Sequence, residues 1–103
     1  MNYKVDNRHA AEKLAMRDAY AETMTELVKE NPRIVYLEAD LMNSIGMVNF
    51  AKEFPDNAIN CGIQEANMIG TAAGMSAVGM IPFTHTFGCF ATRRALDQIF
   101  VSG

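Results

Sequence analysis

No run of like charges occurs anywhere in the 103-residue chain, whose 9 basic and 12 acidic side chains leave a net charge of −3. Phosphate backbones are gripped by a concentrated basic face. The lone pair Arg93-Arg94 does not make one, so nucleic acid is excluded as a partner. Cysteine is scarce too: Cys61 and Cys89 stand far apart and outside any Cys-x-x-Cys spacing. They read as buried free thiols of a reducing cytosol. Met1 to His9 lack the continuous apolar core of a signal peptide, which points to a cytoplasmic protein. The uncharged run from Met68 to Phe83 is diluted by Gly70, Thr71, Gly74, Ser76 and Gly79 and stopped by Pro82. It falls short of the about 20 predominantly apolar residues that a bilayer span needs, so no membrane role is expected. Gly70-x-x-x-Gly74 reads instead as a helix packed tightly between layers. Repeats and low-complexity tracts are absent as well.

Half of the residues are hydrophobic, enough for a modest core and one domain at most. Tyr20, Met24, Leu27 and Val28 recur at helical spacing and predict a helix from Met16 to Glu30, stopped by Asn31-Pro32. Residues 1–15, polar up to about Lys13, are expected to be an N-terminal arm, loosely held or carrying a preceding helical turn. The run Ile34 to Leu37 predicts a fully buried strand, followed by Glu38-Ala39-Asp40. A helix from Ser44 to Phe54 precedes the stop Pro55-Asp56-Asn57, and a strand follows at Ala58–Cys61. Then come a helix over Glu65–Gly79, a strand over Met80–Phe87 with Pro82 near its start, and a helix over Phe90–Val101. This alternation predicts an α/β fold, a parallel sheet with helices on both faces.

Ligands of such sheets sit outside the carboxyl ends of the strands. The predicted strand ends deliver Asp40, the turn Gly62–Glu65 and the turn Thr86–Phe90 to one rim. Two carboxyl groups and two aromatic rings there suit a flat, partly basic heterocycle. Glu65 stands at the start of an otherwise small or apolar helix, where the helix dipole favours an acid by roughly 0.3–1 kcal/mol. A plain first-turn acid therefore remains an alternative. Phe87 and Phe90 could equally be core residues, and Asp40 a helix cap. His85 either faces a substrate or is a hydrogen-bonded structural residue.

Several motifs, in order, carry a resemblance that covers roughly Met16 to Ser102. They are Arg17-Asp18-Ala19-Tyr20, Ala39-Asp40-Leu41, Phe54-Pro55, Asn60-x-Gly62-Ile63-x-Glu65-x-Asn67-Met68-Ile69-Gly70-x-Ala72-Ala73-Gly74, and Ile81-Pro82-Phe83-x-x-Thr86-Phe87-x-x-Phe90 with Arg94-Ala95-x-Asp97-Gln98-Ile99. The chain resembles the transketolases, specifically the start of the C-terminal subunit of the split type. That likeness implies a thiamine diphosphate pyrimidine-binding domain, incomplete here, with residues 16–103 as its first part. Glu65 would be the catalytic glutamate that hydrogen-bonds the aminopyrimidine ring nitrogen. Partial desolvation by Met68 and the Phe rings would raise its pKa. Phe90 would stack on the ring, Phe87 would line the pocket, and Asp40 and Leu41 would lie beside the cofactor.

The resemblance further implies transfer of a two-carbon ketol unit between sugar phosphates. It assigns no metal ligand to this chain: Mg²⁺ and the diphosphate belong to a domain absent from it, on an N-terminal transketolase subunit. A homo- or hetero-oligomer follows, helped by a close-packing face of Gly70, Ala73, Gly74 and Ala77, and the isolated chain is expected to be inactive. Deoxyxylulose phosphate synthases and the β subunits of 2-oxo acid dehydrogenases share the glutamate and are alternative identities. A receiver-like binding module, with Asp40 as phosphoacceptor, is a rival from another class.

Overall fold

Met24 and Val28 set the packing of the first helix, α1 (Met16–Glu30), because helical spacing puts both on one buried stripe. The computed structural model describes residue 11 and residues 13–103. Most of the expected arm, His9 included, therefore lies outside the described residues. Asn31 ends α1 in an extended conformation, its N–H donating to the Leu27 carbonyl at 2.8 Å. Strand β1 (Ile34–Glu38) follows with all five residues buried. Strands β2 (Ala58–Asn60) and β3 (Ile81–His85) flank it, giving the parallel order β2-β1-β3. Tyr36 is in register with Ala58 and with Phe83, and Glu38 with Asn60 and with His85. The α/β fold read from the sequence is the fold observed.

Side-chain alternation along β1 divides the core in two. Ile34 and Tyr36 pack with Met24, Val28, Ile45, Met47 and Phe50. Val35, Leu37 and Ala39 pack with Met68 and Ala72 of α4 (Glu65–Ala77) on the other face. Among the described residues the Tyr36 hydroxyl is buried without a hydrogen-bond partner. Burial, with Glu38 and Tyr20 nearby, pushes its pKa well up.

The single helix expected over Ser44–Phe54 is two, α2 (Met42–Ile45) and α3 (Val48–Glu53). Gly46 divides them. Its φ of 77° is left-handed, and the Met47 N–H turns back to the Met42 carbonyl at 3.0 Å, which closes α2. A residue with a Cβ would resist that turn. After α3, the Asn57 side-chain amide donates to the Pro32 and Ile34 carbonyls at 3.0 and 2.7 Å, tying this segment to the start of β1.

Strand β3 is shorter than expected because Gly79, at φ 92°, and the Met80 N–H, bonded to Met75, belong to the turn after α4. The Ile81 N–H donates to the Arg33 carbonyl on the β1 side. The nitrogen of Pro82 consequently faces the open edge, where a missing donor costs no ladder bond. The last expected helix is also divided, into an i→i+5 turn over Phe90–Arg94 and α5 (Leu96–Ser102), which packs on α4. Gly70 and Gly74 do not pack tightly within this chain: an added Cβ would meet nothing within 4 Å at either. Cys61 is half-buried and Cys89 exposed, so the expectation of two buried thiols fails.

Candidate functional site

The carboxyl ends of β1 and β2 are laced together by backbone and amide bonds. At the end of β1, Asp40 takes φ 62°, a conformation that Asp tolerates better than most residues. The Asn60 amide donates to Asp40 Oδ1 at 3.3 Å, and Asn60 Oδ1 accepts the Gly62 N–H at 2.8 Å. Gly62, at φ 73°, turns the chain into α4. Asp40 does not cap the next helix; no side chain caps α2. The Leu41 N–H is held instead by Glu38 Oε2. Glu38 is fully buried at the tip of β1, and its other oxygen has no partner among the described residues. Burial raises its pKa and nearby Asp40 adds to that, against the Leu41 and Met42 N–H groups.

Glu65 is the first residue of α4 and only 2% exposed. Arg94 Nη1 donates to both of its carboxylate oxygens, at 2.9 Å to Oε2 and 3.1 Å to Oε1. Burial pushes the Glu65 pKa up, but the Arg94 hydrogen bonds, the backbone N–H at the helix start and the Arg94 charge outweigh it. The net shift is downward, and the expectation of a raised value is wrong for this chain. The reason is a cation that the sequence reading gave no role. The Thr86 hydroxyl adds to the lowering without reaching hydrogen-bond geometry.

Because the folded value lies below the ordinary 4.5, this pair's contribution to stability is full above that pH. It is lost as pH falls through the lowered folded value. Arg94→Ala removes two of the lowering influences and leaves burial opposed only by the backbone N–H and the Thr86 hydroxyl, so the downward shift shrinks. Acid unfolding of the full-length protein should therefore begin at lower pH relative to its neutral stability in Arg94→Ala than in the wild type. Identical acid limbs would show that the pair is not formed.

The rings of Phe87 and Phe90 lie 6.0 Å apart, inclined by 34°. Phe87 is 48% exposed and is no core residue. Phe90 is half-buried, with the Arg94 guanidinium carbon 4.1 Å from its centroid. Glu65 and Phe90 thus share one neighbour and stand on the same side of the sheet. Phe87 and Leu41 line a cavity of about 340 Å³ with Arg17, Tyr20, Ser44 and His85. The His85 ring is 5.7 Å from Tyr20, and burial lowers its pKa. Its Nδ1 is buried without a hydrogen-bond partner among the described residues.

Arg94, Arg17, Ser44 and Glu38 are the residues to which sequence reasoning gave no role. For Arg94 a signal existed: the spacing Phe90-x-x-x-Arg94 brings a guanidinium back over a ring. For Glu38 none did, because an acid at a strand end reads as exposed. No group of three or more His, Cys, Asp or Glu side chains suited to a metal occurs among the described residues. Nor is any helix among them long and apolar enough to cross a membrane.

Residues 12–103 match the family described as transketolase, pyrimidine binding domain. The chain is 47% identical over 87 residues to a 6-deoxy-6-sulfo-D-fructose transketolase subunit of Clostridium sp. (strain MSTE9), covering 84% of this chain and 27% of that one. It is 46% identical over 84 residues to a putative transketolase C-terminal section of Methanocaldococcus jannaschii, covering 82% and 27%. Among solved structures, a split gene transketolase described as an inactive beta4 tetramer superposes with a TM-score of 0.75 at 50% identity, over 84% of this chain and 29% of that one. The chain thus spans less than a third of the length of these relatives.

Proposed function

The chain belongs to the transketolase pyrimidine-binding domain family, and we propose that it supplies the aminopyrimidine side of a thiamine diphosphate site in a larger transferase. That enzyme transfers a two-carbon ketol unit between sugar phosphates. Thiamine diphosphate, on which transketolases depend, supplies the nucleophilic carbon when bound. The observation that carries the proposal is the joint grip of Glu65 and Phe90 on one flat N–H-bearing group, the Arg94 guanidinium. A buried carboxylate and an aromatic face within reach of one planar group fit an aminopyrimidine in donor chemistry and in shape.

Glu65 would hold the aminopyrimidine and could take up and return a proton at a carboxylate oxygen. Phe90 presents a stacking face, and Phe87 with Leu41 walls the approach against water. Asp40, bonded to Asn60, keeps the β1 and β2 ends in one ledge. Arg17 and Ser44 line the neighbouring cavity, and their side chains carry donors that suit a sugar phosphate. Mg²⁺ and the diphosphate are assigned to an N-terminal partner subunit in a cytoplasmic hetero-oligomer. The phosphoacceptor alternative for Asp40 is poorly supported, because the nearest acid, Glu38, is fully buried and bonded to Leu41.

Phe90→Ala in the assembled full-length enzyme tests the reading. Loss of an offset stack and of its buried area should weaken thiamine diphosphate binding about ten-fold, equivalent to about 1.4 kcal/mol. Titration calorimetry at saturating Mg²⁺ measures it, and an unaltered Kd would return Phe90 to a packing role.

A further inference from the structure

Arg94 makes, with one side chain, both contacts that a flat heterocycle needs at this ledge. Its Nη1 donates to the two Glu65 oxygens, and its guanidinium lies 4.1 Å from the Phe90 centroid. Guanidinium and aminopyrimidine are both planar, delocalised and rich in N–H donors. We propose that Arg94 is a placeholder, occupying the aminopyrimidine's contacts on Glu65 and Phe90 before the cofactor docks and swinging aside when it does. This rests on the reading of Glu65 and Phe90 given above.

Three further features support it. The Arg94 side chain is 46% exposed and that of Glu65 only 2%, so a ring arriving from solvent meets the guanidinium before the carboxylate. A surface depression of about 490 Å³, lined by Cys89, Phe90, Arg93 and Arg94, gives the long side chain room to withdraw. The backbone need not follow, because the next residue, Ala95, is completely buried and anchors it. The placeholder also has a reason to exist. Without it Glu65 would be a buried acid with neither cation nor ligand, which is costly for a carboxylate. Arg94 keeps that carboxylate aimed and satisfied until the ring takes over.

A residue that competes with the cofactor lowers apparent affinity by the fraction of time it blocks the site. Removing it therefore has a sign opposite to that of removing a supporting residue. In the assembled full-length enzyme with excess Mg²⁺, thiamine diphosphate association is followed by stopped flow and its affinity by calorimetry. Arg94→Ala should associate faster, on the order of ten-fold, with affinity equal to or tighter than wild type. Arg94→Lys keeps the charge but not the planar stack and should lie between the two. If Arg94→Ala does not fold, Arg94→Lys decides alone: faster association supports the placeholder, while unchanged or slower association overturns it. Weaker binding and slower association in Arg94→Ala, while Phe90→Ala also weakens binding, would overturn the placeholder and leave the site standing. If neither substitution changes cofactor binding, the site reading and the placeholder fall together.

Discussion

Glutamine in place of Glu65 is expected to lower kcat of the assembled full-length enzyme by roughly 10²–10⁴-fold, the range that a positioned proton-transfer group contributes. The amide fills the same space and still meets a ring nitrogen, but it can neither hold nor return a proton there. Folding should suffer far less. Arg94 is nearly half exposed, so it can turn to water when its carboxylate is gone, and the loss should stay near or below about 1.5 kcal/mol. Steady-state kinetics beside thermal unfolding separates the two effects. Turnover equal to wild type, at equal stability, would remove Glu65 from the chemistry.

Leu37→Ala should have the largest effect on stability. Leu37 sits on the central strand with no exposed surface, packed among Val35, Ala39, Met68 and Ala72. Cutting a buried leucine to alanine costs about 2–5 kcal/mol, from lost burial and from the cavity left behind. Both neighbouring strands pair with β1, so little backbone freedom exists to close the gap, and the upper half of that range is expected. Urea unfolding of the full-length protein should show a lower midpoint with an unchanged slope. A loss below about 1 kcal/mol would mean that the α4 face can collapse onto β1 and is not close-packed.

How legible the site was differs from residue to residue. Glu65 could be placed at the head of α4 because Gly62 ends an extended run and small and apolar residues follow. Its charge state could not, because that depends on Arg94, 29 positions away. Phe87 and Phe90 were visible as rings after a strand. Which of them is free and which is covered by a guanidinium is a matter of side-chain packing. The division at Gly46 was missed because a glycine within an apolar periodic run reads as a tolerated helix residue until its φ is known.

Local pattern by itself determined the alternation of helix and strand, apart from the two divided helices, and with it the parallel sheet. Those follow from hydrophobic periodicity and from chain stops that act over a few residues. Tertiary structure alone decided that Glu38 is sealed inside, that Glu65 is paired with Arg94, and that His85 lines a cavity with Arg17. Each of these is set by distance and dielectric between groups far apart in the chain, and no spacing rule along one segment encodes them.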